Sequence, residues 1–258
     1  MSDPESPPGQ GFALPSVRRV SLARPRNWLK SGWHDMRSNP VTSLSYGLLF
    51  GIAGAVVLIF SWSKPYLFTA AVSGFILIAP LLAGGLYEIS RRQAEGQPAT
   101  LLESLDGWRR NGQSMAMFGL LLALVALVWE RTSAVIFALL VPGMAPDLSS
   151  FIFDVLLNPE FAGITLAWFM VGTCLAILVF AVSAVSIPML IDRDVDFVTA
   201  MITSLRATVL NPDVMFLWAV LVVTLTLAGF ATLLLGLVLT MPLLGHASWH
   251  AYQDLVDK

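Results

Sequence analysis

The hydrophobic positions of this chain form long stretches without Asp, Glu, Lys or Arg. Six such windows cover residues 38–63, 65–87, 111–129, 132–146, 161–191 and 214–253. A transmembrane helix needs roughly 20 apolar residues, so four windows supply one span each, and the window 132–146 is too short. The window 214–253 has room for two short helices and a turn. The pattern predicts an all-α, polytopic membrane helix bundle with six transmembrane helices, or five if the last window holds one helix and an interfacial segment.

The turn in the last window is predicted at 227–231. Gly229 lies there, and a glycine inside a helix costs about 1 kcal/mol relative to alanine. The final helix then carries Pro242 near one end, at the place that Pro80 and Pro188 occupy in earlier spans. This match favours two helices in the last window.

Three weakly similar units follow from the same pattern. A flexible tail is predicted at 1–25, and a single transmembrane domain at 26–258 with units 26–97, 98–195 and 196–258. Each unit begins with a short interfacial amphipathic helix that ends at Asn39, Asn111 or Asn211, and two spans follow. Two spans per unit make the three hairpin units parallel. The second unit carries an acidic insert at 130–160 that is predicted to be periplasmic, and the placement of 132–146 remains open.

The composition limits the class of protein. Hydrophobic residues make up 56% of the 258 residues and charged residues 12%, against about 25% charged in soluble domains. This excludes an ordinary soluble enzyme and a disordered chain. A single cysteine excludes an internal disulfide framework. No phosphate loop, nucleophile elbow or zinc-protease motif occurs, so the protein is expected not to be an enzyme.

The basic residues predict the orientation. Thirteen Lys and Arg residues fall on the side of both termini, and only Lys64 and Arg131 fall on the other side. The positive-inside rule therefore predicts cytoplasmic termini in a bacterial inner membrane. No apolar run precedes residue 38, so no removable signal peptide is expected.

Several residues are candidates for lipid contact or helix packing. The interfacial helices are expected to bind the bilayer and its anionic lipids, rather than nucleic acid, through aromatic and basic side chains. These are Trp28, Trp33, Arg37, Trp108, Arg109 and Arg110. Small residues let helices approach closely, so the stripe Gly47, Gly51 and Gly54 is expected to pack against another helix.

Two weak ligand patterns occur near the predicted cytoplasmic side. His246 and His250 are spaced i, i+4, which places two ligands on one helix face. Asp192, Asp194 and Asp196 form an acidic run that could hold a divalent cation. The interpretation we favour is a polar helix end for the histidines, and helix capping by Asp196 with local pairing to Arg193 and Arg206 for the run. No metal, cofactor or catalytic residue is predicted.

Several segments resemble an uncharacterised bacterial integral-membrane family that is catalogued as a domain of unknown function. They are 18–21, 28–35, 80–87, 192–196 and 245–252, and the resemblance covers roughly 17–256. Some members carry the label of putative cytochrome c oxidase subunit. The resemblance implies a polytopic inner-membrane protein and carries no established activity. A haem–copper core needs several intramembrane histidines, and this chain has three histidines in all.

The function that the sequence favours is a non-catalytic accessory, scaffold or assembly subunit of a membrane protein complex, such as a respiratory one. The hydrocarbon-depth segments carry almost no ionisable groups, which most proton- or ion-coupled proteins need. Other membrane proteins are the expected partners. The alternative is a small transporter or channel for a neutral or apolar solute or a lipid, for which Thr224, Thr226, Thr232 and Thr240 are the candidate lining residues.

Overall fold

The computed structural model describes residues 14–62, 79–141 and 147–257, and this part of the chain is helical throughout its regular structure. A π-helical turn at Phe151–Leu156 and a 3-10 turn at Pro159–Phe161 lead into the eighth α-helix. The α-helices whose two ends both lie in the described residues are α1 Arg24–Ser38, α2 Pro40–Ser61, α3 Gly84–Ala94, α4 Leu101–Ser104, α5 Asp106–Arg110, α6 Gly112–Leu140, α7 Leu148–Ser150, α8 Ala162–Ser183, α9 Ser186–Asp192, α10 Phe197–Leu210, α11 Pro212–Ala231 and α12 Leu237–Leu255.

Within the described residues, four helical segments are long and apolar enough to cross a membrane. They are α2, α6, the segment Pro159–Asp192 that contains α8 and α9, and α11. The predicted second span, 65–87, lies largely outside the described residues. The predicted sixth span corresponds to α12, which has 19 residues and is not one of the four. The all-helical membrane architecture is confirmed, and the six-span count remains a prediction.

The three asparagines terminate helices as the pattern predicts. Asn39, Asn111 and Asn211 each separate an amphipathic helix from a long apolar one, and their φ/ψ angles are −132/62°, −130/50° and −128/54°. The side chain of Asn111 donates to Val195 O at 2.7 Å, just before α10. That of Asn211 donates to Arg18 O at 3.0 Å, shortly before α1. Two of the three hinges thus bind the segment that precedes another amphipathic helix.

Helix α12 lies at the centre of the packing and contacts α1, α2, α3 and α11. A Cβ atom on Gly47 would lie 2.0 Å from Val238 O, and one on Gly32 would lie 2.6 Å from Ala247 N. Helices α1 and α2 therefore lie with their backbones directly against α12. Gly54 faces the Leu234 side chain, and Gly51 has more space, with its nearest neighbour 3.7 Å from an added Cβ.

The turn between α11 and α12 differs from its predicted position. It lies at 232–236, and Leu233 and Leu234 adopt positive φ angles of 54° and 69°. Gly229 stays inside α11 because the two helices approach closely there. An added Cβ would lie 2.5 Å from Leu237 Cδ2, so the glycine serves packing rather than the turn.

The insert also differs in part from its predicted form. Helix α6 continues through Glu130 and Arg131 to Leu140 and has 29 residues, about 44 Å at 1.5 Å per residue. This exceeds the ~30 Å hydrocarbon core. Glu130 and Arg131 form an ion pair of 3.0 Å about 28 Å from the start of the helix. The window 132–146 thus begins as a continuation of α6, and residues 142–146 lie outside the described part.

The N-terminal segment joins the end of the last helix. Val17 and Val256 form an isolated antiparallel bridge, and Ser16 Oγ donates to Asp257 Oδ2 at 2.5 Å. Arg24 pairs with Asp254, which also accepts a hydrogen bond from Trp28 Nε1 at 2.5 Å. Because α1 follows directly, these contacts fix α1 against α12.

Candidate functional site

A chain of five polar side chains connects α1, α2, α3 and α12, and we call it the Asp35 network: Ser43, His246, Ser90, Asp35 and His250. Ser43 Oγ lies 2.9 Å from His246 Nε2, and His246 Nδ1 lies 2.8 Å from Ser90 Oγ. Ser90 donates to Asp35 Oδ2 at 2.6 Å, and His250 Nε2 lies 2.8 Å from the same oxygen. Ser43 and His246 are fully buried, while the His250 side chain is 29% exposed. The chain therefore runs from the surface to the core.

The hydrogen bonds have defined directions. The hydroxyl of Ser90 donates its one hydrogen bond to the Asp35 carboxylate, so Ser90 Oγ accepts a hydrogen bond from His246 Nδ1. In neutral histidine the other ring nitrogen is an acceptor, so His246 Nε2 accepts a hydrogen bond from the Ser43 hydroxyl. Burial disfavours the charged form of Asp35, but hydrogen bonds from His250 and Ser90 outweigh it and hold the pKa of this carboxyl below its usual range.

Helix periodicity places Asp35 in the interior. Trp28, Gly32, Asp35 and Met36 are all buried and share one face of α1 at spacings of three and four residues. The opposite face carries Arg26, Lys30 and Arg37. The sequence prediction did not single out Asp35, although its position on the Trp28–Gly32 face is a signal that could have revealed it.

A second buried group, the Glu88 cluster, consists of Glu88, Arg91, Arg92 and Arg110. Glu88 is fully buried, and its two oxygens accept four hydrogen bonds of 2.8 Å from the three guanidinium groups. Burial disfavours the charged carboxylate, but these hydrogen bonds outweigh it and lower the pKa of Glu88. Arg110 also donates to Ile191 O at 3.1 Å, so the cluster ties α3 to α5 and α9.

The acidic run 192–196 has structural roles where contacts are seen. Asp196 accepts from Thr199 N at 2.9 Å and caps α10, as predicted. Asp192 lies 3.7 Å from Arg193 and accepts the hydroxyl of Tyr252 at 2.6 Å. Asp194 is exposed. Arg206 does not join this group but donates to Pro15 O at 3.3 Å.

The predicted interface residues divide into buried and exposed ones. Trp28 was predicted to contact lipid, and this is wrong in the structure. Its ring is 1% exposed and packs edge-on against Trp218 at 5.5 Å, because α1 turns its apolar face onto α12 and α11. Trp33 is 44% exposed and lies 5.9 Å below the Arg37 guanidinium.

The second amphipathic segment, α4 and α5, has mixed surroundings. Trp108 is half-buried and donates to Leu81 O at 3.0 Å. The Arg109 side chain is 79% exposed and lies 3.5 Å from Asp106, whereas Arg110 belongs to the Glu88 cluster. Leu102 is 78% exposed, so this segment keeps an apolar surface outside the bundle.

The two histidines share one network but point to different partners. His246 lies between two serines, and His250 binds Asp35. Among the described residues, no group of three or more His, Cys, Asp or Glu side chains is placed to hold a metal ion. The geometry instead gives each histidine a protein partner.

The chemistry open to the Asp35 network is limited by its burial. Ser43 Oγ lies within reach of His246 as a general base. Both side chains have no exposed surface, so the hydroxyl is sealed from substrate in this structure. The arrangement is suited to joining four helices through hydrogen bonds in a low-dielectric interior.

One family model covers the segment that contains α3 to α9. Residues 67–192 match the family described as "Predicted integral membrane protein (DUF2189)", a domain of unknown function. The predicted family resemblance is thereby confirmed for this segment. It includes the whole Glu88 cluster and Ser90, while Asp35, His246 and His250 lie outside it. No curated protein matches the chain, and no solved structure matches it.

Proposed function

We propose that this protein is a non-catalytic accessory, scaffold or assembly subunit that acts through contact with other membrane proteins. The observation that carries the proposal is the difference between its polar and apolar groups. The buried charges at Asp35 and Glu88 are engaged by other side chains of the same chain. In the most apolar stretches of α2, α6 and α11, only 28%, 17% and 22% of the residues, respectively, are buried within the protein.

The proposed topology is the six-span bundle of three parallel hairpin units in a bacterial inner membrane, with both termini cytoplasmic. The recurring asparagine hinges support three units, and the distribution of basic residues supports the orientation. Reporter fusions at Lys258 test it. A periplasmic C-terminus would favour five spans.

The partner proposal is tested by purifying the full chain in mild detergent and identifying what remains bound. The exposed α2 residues Ile59 and Phe60 (73% and 71% exposed) are replaced with alanine. Loss of a stoichiometric partner with unchanged thermal unfolding supports a contact surface. The buried residue Phe118, replaced with alanine, is the matched control for loss through unfolding. A protein that carries only lipid in every variant contradicts the proposal.

A transporter or channel for a neutral or apolar solute is the second candidate. Two hydroxyls, Thr165 Oγ1 and Thr240 Oγ1, are buried without a hydrogen-bond partner among the described residues. A buried hydroxyl without a partner costs about 1–3 kcal/mol, which a polar ligand or water would relieve. Solute flux in proteoliposomes that falls in Thr240→Val would favour this function over the first.

A further inference from the structure

A shallow groove of about 360 Å³ lies between α1 and α12. Leu29, Trp33 and Leu243 form its apolar lining, and Arg26 and Lys30 supply two positive charges. The backbone contact of Gly32 with Leu243 and Ala247 fixes the two helices on which the groove is built. Leu239, one turn before Leu243, is 50% exposed. The apolar side of the groove therefore continues onto the exposed surface of α12.

The charges at this groove have no carboxylate partner among the residues that the structure describes. Arg18, Arg24, Arg91, Arg92, Arg110 and Arg193 all form ion pairs with Asp or Glu at this side of the molecule. Within the described part of the chain, no carboxylate lies within 4.0 Å of Arg26, Lys30 or Arg37. The one acidic residue of α1, Asp35, is turned inward and bound by Ser90 and His250. The exposed face of α1 is thus cationic along its whole length.

We propose that this groove binds the headgroup of an anionic phospholipid. The residues at i and i+4 on a helix have Cβ atoms about 5–6 Å apart, so Arg26 and Lys30 can both reach one phosphate. Trp33 lies at the groove as an amphipathic ring of the kind found at headgroup level. The acyl chains then extend over Leu243 and Leu239. A free phosphate would use the two cations but not this apolar surface.

The test uses native mass spectrometry of the full-length protein titrated with phosphatidylglycerol or phosphatidylcholine in mild detergent. A basic residue near an anionic membrane surface contributes roughly fivefold in affinity. The double variant Arg26→Gln/Lys30→Gln is therefore expected to bind phosphatidylglycerol about 30-fold more weakly. Leu243→Gln should also weaken lipid binding, because it removes the apolar floor.

The matched control is Arg19→Gln/Arg206→Gln, which removes the same charge from exposed positions outside the groove. It should retain phosphatidylglycerol within about threefold, and all variants should unfold at the wild-type temperature. An equal loss of phosphatidylglycerol affinity in both double variants would show that net charge alone determines binding, and this would overturn the proposed site. Displacement of the lipid by millimolar inorganic phosphate, or equal binding of phosphatidylcholine, would overturn it as well.

Discussion

The two ends of the molecule hold themselves together by different means. The polar end, defined by Asp35, Glu88 and Asp254, joins its helices through buried and partly buried charges and hydrogen bonds. The far end, defined by 54–62, 129–141, 147–168 and 229–237, uses apolar and aromatic contact. There Trp129 and Trp168 stack at 5.6 Å, and Phe137 packs edge-on against Phe151 at 5.2 Å.

This difference separates the end of the molecule that stabilises the fold from the end whose apolar surface is available for contact. A buried charge that loses its partner is strongly destabilising, so the polar end depends on individual side chains. At the far end, Leu139 and Leu235 are 78% and 76% exposed, and single contacts matter less. The comparison predicts large effects of substitution at the polar end and small ones at the far end.

The largest effect is expected for Glu88→Gln. The change leaves three guanidinium groups around a neutral amide, and breaking a buried ion pair in this way costs about 3–5 kcal/mol. Thermal unfolding in detergent measures the loss. Glu95→Gln, whose side chain is 43% exposed and pairs with Arg91, should cost less than about 1 kcal/mol. Similar losses in both variants would remove the distinction between buried and surface pairs.

Gly47→Ala should be the next most damaging change. The new Cβ would lie 2.0 Å from Val238 O, and a backbone atom cannot move aside as a side chain can. We expect a loss of at least 1–3 kcal/mol, measured by the same unfolding experiment. Gly51→Ala has an ordinary contact distance of 3.7 Å and should be close to neutral. A tolerated Gly47→Ala would contradict the close α2–α12 packing.

Asp35→Asn should destabilise by about 1–3 kcal/mol, since Ser90 and His250 lose a charged acceptor. The lowered pKa values of Asp35 and Glu88 also predict a pH dependence. Their stabilisation is complete above the ordinary carboxyl values of about 4 and is lost as pH falls through the lowered values. The acid limb of a stability–pH profile should therefore flatten in Asp35→Asn. An unchanged profile would show that Asp35 does not contribute.

Arg131→Gln at the far end should have the smallest effect. The Arg131 side chain is 72% exposed in its pair with Glu130, and such surface pairs contribute about 0–1 kcal/mol. Unfolding temperatures in detergent should differ little from wild type. A loss of stability as large as that of Glu88→Gln would show that a charge at the far end is also critical.

Local signals predicted part of this fold from the sequence. The three asparagine hinges and the Asp196 cap depend on residues within a few positions, and both were confirmed. The α11–α12 turn was misplaced because Gly229 allows close packing against Leu237 and Thr240 of α12 and does not form the turn. The position of a glycine in the sequence does not show that contact, and it does not show that two leucines adopt positive φ angles at the turn.

The candidate site was harder to predict because its contacts are long-range. Ser43 and His246 are 203 residues apart in sequence, so no local spacing links them. The i, i+4 spacing of His246 and His250 was noticed, but their hydrogen-bond partners lie on three other helices. Glu88 directly follows the charge-free window 65–87, and nothing in that position shows that Arg110, 22 residues later, makes it the centre of a buried cluster.

The bridge between Val17 and Val256 bears on the order in which the chain folds. Residues 16–20 are made early, yet they bind Gln253, Val256, Asp257 and Asn211, which are 191–241 residues later in sequence. Contacts of such long separation form slowly, and those with Gln253, Val256 and Asp257 must wait until α12 has been synthesised. The N-terminal segment is therefore expected to be protease-sensitive in nascent chains and to become protected last. Its protection reports the completion of folding.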